Sequence, residues 1–147
     1  MIGVLSAMGQ ENLSLQEEDI LDWGQGEAGE DATITGEEQQ AYRKMKEYLS
    51  HYGTGHHTAV LCFSDYLAFG IKRAIREAGY RIPEDIKIVG YDDICLSRLL
   101  YPPLTTVHQD IKGLAKTAMD TVEELIEGKQ VPESQVVSVS FIERKTT

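Results

Sequence analysis

The chain has 147 residues, 41% of them hydrophobic and 26% charged, with a formal net charge of −10. That balance describes a globular domain, or a piece of a larger one, able to bury a real core. It excludes an unaided grip on a phosphate backbone, which needs clustered Lys and Arg, and no apolar run reaches the length of a bilayer-spanning helix.

From Ile2 to about Asn12, Val4, Leu5 and Met8 fall at helical spacing, although IGVLSA also suits a strand. EDILDW, residues 18–23, reads as a short strand, and the Gly- and acid-rich stretch GQGEAGEDAT as a solvated loop. Thr35-Gly36-Glu37-Glu38 has the form of a capping box, with Thr35 at the N-cap and Glu38 three positions on. Behind it Ala41, Met45, Tyr48 and Leu49 predict a helix to about Ser50, followed by the loop HYGTGHHT.

TAVLCF is a continuous apolar run, the signature of a strand covered on both faces. Ser64 or Asp65 caps the next helix, whose inner face is Leu67, Ala68, Ile71, Ala74, Ile75 and Ala78, with Gly79 as its terminator. IKIVGY is a second buried strand, and ICLSRLLYPP a short helix stopped by Pro102 and Pro103. LTTVHQD is extended, and Asp110 caps a helix with the stripe Leu114, Ala115, Ala118, Met119, Val122, Leu125 and Ile126, closed by Gly128. The alternating QVVSVSFIER ends the chain in a strand.

Strands alternate with helices from about residue 18, which predicts an α/β fold: an open, mostly parallel sheet flanked by helices. In such sheets ligands bind beyond the carboxyl ends of the strands. Three predicted strand ends carry polar or aromatic groups there: Asp22-Trp23, Ser64-Asp65 and Tyr91-Asp92-Asp93. Carboxylates accept hydrogen bonds from vicinal hydroxyls and an indole covers the apolar face of a sugar ring, so the set suits a small polyol and calls for no catalysis. The structural alternatives are that Asp65 is a helix cap, that one of Asp92 and Asp93 caps the segment from Ile94, and that Trp23 is core.

Cys62 and Cys95 lack metal-ligand or redox spacing and read as small buried thiols of a reducing compartment. His51, His56, His57 and His108 read as solvated loop residues rather than a metal site. A magnesium-dependent phosphoryl-transfer or receiver domain built on Asp92-Asp93 is a rival reading, but no glycine loop for a phosphate accompanies the pair. No nucleophile motif of the GxSxG kind occurs.

VGYDD, then PPLTTVHQD, a long helix, and a strand running into FIERKTT together resemble the lactose-repressor/galactose-repressor family of bacterial transcription regulators. TAVLCFSDYLAFGIKRAIREAGYRIPEDIKIVGYDD is similar to the same family's preceding strand–helix–strand, so the likeness covers residues 58–147. Gly3 to Met8, with Leu13 beyond, is similar to the family's Gly-x-x-x-Ala-Leu helix. The resemblance implies a two-subdomain sugar-binding fold of the periplasmic-binding-protein type I kind, normally preceded by a helix-turn-helix headpiece that this chain lacks.

On that reading residues 1–103 and 129–147 form an incomplete C-terminal subdomain. Residues 104–128 form a crossover and a helix belonging to an N-terminal subdomain, so the helix stripe should stand exposed. The resemblance further implies that Asp92 binds sugar hydroxyls and that Ser64 lies at the effector pocket beside Asp65. Trp23 packs on the sugar ring, Gln109 reaches the effector, and Thr105, Thr106 and Val107 act as a hinge. It implies a cytoplasmic regulator rather than an enzyme, with a sugar effector, operator DNA met through the headpiece, a homodimer or higher oligomer, no membrane partner, and no metal or cofactor. A periplasmic sugar-binding protein of a transport system is the alternative on the same fold.

Overall fold

The computed structural model describes residues 2–21, 34–55 and 57–147. In chain order these form α1 (Ile2–Gln10), a 3-10 turn (Glu17–Asp19), α2 (Ile34–Tyr52), β1 (Ala59–Leu61), α3 (Asp65–Glu77), β2 (Lys87–Asp92), α4 (Cys95–Leu99), β3 (Thr105–Gln109), α5 (Ile111–Ile126) and β4 (Val139–Ile142). The four strands make one sheet in the order β1-β2-β3-β4, with β4 alone running antiparallel. This is the predicted α/β class, an open mixed sheet with helices against it.

The core lies between the sheet and the α2/α3 pair. Leu67, Ala68, Ile71, Ala74 and Ile75 recur on one face of α3 and are buried against Ala41, Met45 and Leu49 of α2 and against Cys62, Ile86, Ile88 and Leu104. Gly70 sets the closeness of that helix pair: a Cβ there would overlap the Glu38 carbonyl oxygen and come within 2.9 Å of Tyr42 N. Arg73 crosses the same seam, paired with Glu38 at 3.0 Å and lying over the Tyr42 ring. Truncating Ile75, which is fully buried, to Ala would cost about 3 kcal/mol through lost transfer energy and the cavity left behind.

The helix boundaries follow local chemistry. Ser64 is the N-cap of α3, its hydroxyl accepting Leu67 N–H at 3.2 Å, and Gly79 follows the helix at φ +86°. Asp110 caps α5 by accepting Gly113 N–H at 2.9 Å. Ala78 falls outside the buried face, because that stripe ends with Ile75. Helix α2 already includes Ile34 and Thr35, so Thr35 is not the N-cap, and Glu38 is drawn instead to Arg73.

Other expectations fail for identifiable reasons. The strand expected over 18–23 is instead preceded and opened by the Glu17–Asp19 turn, and Ile20 and Leu21 pair with no strand. Asp19 bends the chain there by accepting Gln16 N–H at 2.7 Å and meeting His57 Nε2 at 2.6 Å, a local alternative to a ladder. β1 is covered on one face only: Cys62 is buried, while Leu61 and Phe63 stay exposed. Cys62 is the buried thiol expected, with burial pushing its pKa up to about 12, but Cys95 opens α4 on the surface. His57 is not simply solvated, since its ring bridges Asp19 and the Tyr48 hydroxyl.

The tail is stitched into the sheet. Thr146 Oγ1 donates to the Ile88 carbonyl at 2.7 Å and accepts Thr105 N–H at 2.8 Å, while Ile88 N–H donates to the Thr146 carbonyl at 2.7 Å. Helix α5 has no buried residue at all, and its apolar stripe, Leu114 through Ile126, faces outward. Among the described residues no helix is long and apolar enough to cross a membrane.

Candidate functional site

The parallel strands β1, β2 and β3 end on a common rim, and their tips bring Ser64, Asp65, Asp92, Asp93, His108 and Gln109 to it or just beneath it. The two adjacent carboxylates at the end of β2 divide. Asp93, in the left-handed region at φ +57°, turns to the protein: Arg144 Nη2 donates to it at 2.5 Å and His108 Nδ1 lies 3.1 Å away. Asp92, at φ +115°, turns to the rim, where Gln109 Nε2 donates to its Oδ1 at 2.7 Å.

Partial burial lifts the Asp92 carboxyl above the usual carboxylate range, against the opposing pull of the Gln109 amide, and the nearby Asp65 charge adds to the rise. A half-buried carboxylate with one amide partner keeps lone pairs free to accept further hydrogen bonds. Its left-handed backbone is strain of the kind held at functional positions by the surrounding structure.

Asp65 has another task. It is fully buried, and both its oxygens are taken by protein donors: Thr106 Oγ1 at 2.6 Å, Ser97 Oγ at 2.5 Å and Ile94 N–H at 2.9 Å. It ties α3 to the β2–α4 connection and to β3 from beneath the rim. It is neither the helix cap nor turned outward. Ser64 carries the cap, which commits its hydroxyl to Leu67. Trp23 lies outside the described residues. Thr105 and Thr106 are fully buried and hydrogen-bonded within the sheet, to Thr146, Thr147, Arg144 and Asp65, whereas Val107 to Gln109 are only half-buried.

Arg144 was not singled out from the sequence. It also donates to the Leu104 carbonyl at 2.7 Å, and its partner Asp93 is distant along the chain, so no local spacing signals the pair. A separate cavity of about 700 Å³ runs along the free edge of β1, lined mainly by aliphatic side chains, with Asp19, Tyr48 and His57 among its polar groups. The described residues contain no group of three or more His, Cys, Asp or Glu side chains able to hold a metal ion.

Comparison with known proteins gives the frame for this geometry. Residues 2–147 match the periplasmic binding protein-like domain family. The chain is 44% identical over 90 residues to the lactose operon repressor of Escherichia coli, a match covering 61% of this chain and 25% of that protein. The chain therefore spans about a quarter of the length of that curated relative. Among solved structures it resembles the lac repressor dimer bound to operator and the anti-inducer ONPF, with a TM-score of 0.69 and 38% identity over 74% of this chain and 37% of that one. A LacI family regulator from an Arthrobacter species, solved in complex with lactose, gives a TM-score of 0.67 at 27% identity, covering 75% of this chain and 42% of that one.

Proposed function

The chain belongs to the periplasmic binding protein-like family, as part of an effector-binding domain of the LacI/GalR kind, and on that premise we propose that it forms one half of a sugar-holding clamp in a bacterial transcriptional repressor. The observation that carries this reading is the Asp92–Gln109 pair: a strained, half-buried carboxylate on the rim of a parallel sheet, free to accept hydroxyls beside an amide that can donate or accept. The lactose complex of one structural relative supports a sugar as the effector class. Repressor relatives favour a cytoplasmic regulator over a transport protein.

Residues 1–109 and 129–147 serve as one subdomain, with Leu104 in its core and β3 paired into its sheet, and the chain from Asp110 through α5 crosses to the other. Thr105 to Gln109 are held in the sheet between β2 and β4, so the pivot of the proposed hinge lies past Gln109, at Asp110. The effector shifts the protein by binding one arrangement of the two halves better than the other. No catalytic group takes part. Operator DNA is met elsewhere in the full-length regulator, in keeping with the net charge of −10 here. The regulator works as a dimer, as the dimeric state of one relative supports.

The test is Asp92→Ala in the full-length regulator, titrated with effector in a gel-shift assay. The expected outcome is unchanged operator binding with the effector response lost. Normal release or recruitment by the variant would refute the reading.

A further inference from the structure

Three carboxylates crowd the tip of β2. Asp92 and Asp93 are consecutive, and Asp65 lies beneath them, accepting Ile94 N–H at 2.9 Å. Among the described residues Asp65 meets neutral donors only, the hydroxyls of Thr106 and Ser97 and that amide. Asp92 has the neutral amide of Gln109. The one Arg or Lys paired with any of the three, among the described residues, is Arg144, whose Nη2 donates to Asp93 Oδ1 at 2.5 Å. Like charges gathered in a partly desolvated site make each other harder to ionise, and a counter-charge relieves that cost.

Arg144 is held for this task from both ends. Its backbone N–H donates to Thr105 Oγ1 at 2.9 Å, and Nη1 donates to the Leu104 carbonyl at 2.7 Å, which aims Nη2 at Asp93. The two side chains of the pair are only 16% and 18% exposed, so salt and water screen it little. Two other titratable or charged side chains belong to the elements around the tip. His108 of β3 places Nδ1 3.1 Å from Asp93 Oδ2, and Arg98 of α4 turns to Cys95 Sγ.

The open carboxylate gains most from the arrangement. Burial already lifts Asp92 above the usual carboxylate range; the Gln109 amide opposes that rise and the Asp65 charge adds to it. A second bare charge one residue along the chain would lift it further. A protonated Asp92 would lose acceptor capacity toward ligand hydroxyls. Arg144 also follows β4, the strand by which the chain returns from the crossing helix α5, so the counter-charge comes from an element next to the junction of the two halves.

We propose that Arg144 is the counter-charge of the cleft: paired with Asp93, it leaves Asp92 as the open, ionised carboxylate of the rim. It is a positioning residue that acts through Asp93. This rests on the sugar-clamp reading and adds to it a charge balance set from outside the cleft.

A carbon-detected NMR titration of the Asp92 carboxyl in the 147-residue chain tests it with no ligand present. All variants are made in an H108Q background, which removes the second partner of Asp93 and serves as the reference. R144M should move the Asp92 midpoint up by about one pH unit, the effect of baring one nearby charge. D93N should move it down, because the guanidinium then acts on Asp92 unopposed. The two changes together should bring it back near the reference, and R144K, which keeps the charge, should stay there. Opposite movements from the two ends of one ion pair, cancelling when combined, are not produced by loose packing. Melting curves show which variants fold, and D93N carries the test where R144M does not, since asparagine suits the left-handed backbone at position 93 (φ +57°). A midpoint unmoved by D93N and R144M, or moved the same way by both, overturns the proposal. The clamp reading is judged separately by Asp92→Ala in the gel-shift assay, so either can fail while the other result stands.

Discussion

Gly90 and Asp65 are matched. A Cβ at Gly90 would overlap Asp65 Oδ1 and come within 2.8 Å of Leu104 Cδ2, so the missing side chain is the space in which the buried carboxylate sits. G90A should therefore destabilise the fold by about 3 kcal/mol through overpacking. D65A should cost a similar amount, about 3 kcal/mol, because Thr106, Ser97 and Ile94 lose their acceptor. The double variant should cost clearly less than the sum, since removing the carboxylate makes room for the methyl. Denaturant melts of the four proteins measure this, and strict additivity would contradict it.

Asp92 exchanges stability for position. At φ +115° an L-residue is strained, and glycine is not. D92G should raise stability by about 1 kcal/mol, once the extra freedom of glycine in the unfolded chain is set against the strain relieved. The same variant should lose sugar binding. Equal or lower stability for D92G, measured by urea denaturation, would count against strain at this position.

Lys72 gives the protein a measurable alkaline response. Its ammonium is almost wholly buried and donates to the Pro102 carbonyl at 2.7 Å; burial, then the neighbouring Arg76 charge, bring its pKa down to about 8. Between about 8 and the ordinary value of 10.5 the unfolded chain binds a proton that the folded chain does not. Stability from this group therefore rises with pH across that window, and below it the folded protein carries the full penalty of a buried charge. The melting temperature of wild type relative to K72M should climb from pH 8 to pH 10. A flat difference would show that Lys72 titrates normally.

Much of this fold was legible in the sequence, and the parts that were not share a cause. The α3 stripe from Leu67 to Ile75, the Asp110 cap and the α4 stop before Pro102-Pro103 are local signals that held, and of the two residues weighed as the α3 cap it is Ser64 that takes the role. Asp65 was weighed as a cap and as a ligand because its true partners, Ser97 and Thr106, are distant in sequence. Arg144 was overlooked for the same reason. The run TAVLCF shows an apolar strand but does not say which faces will be covered, so the exposure of Leu61 and Phe63 could not be foreseen. The Glu17–Asp19 turn depends on side-chain bonds from Asp19 to the Gln16 backbone and to His57, which periodicity does not register. Of the candidate site, Asp92 and Gln109 meet as hydrogen-bond partners, whereas Trp23 falls outside the described residues.

Helix α5 should make the isolated chain associate. Leu114, Met119, Val122, Leu125 and Ile126 are all exposed on it, Ile126 by 81%. Covering each such side chain is worth about 2 kcal/mol, far more than an isolated surface residue contributes. Light scattering should show mass rising with concentration, and paired L125E and I126E changes should suppress it. A monodisperse wild-type monomer that melts in one sharp step would contradict this.

The stitch made by Thr146 bears on how such a domain holds together. Strands β2 and β3 share the single Thr146 hydroxyl, so a change that removed it, such as T146V, would take away the fastener between them and loosen β2 from β3.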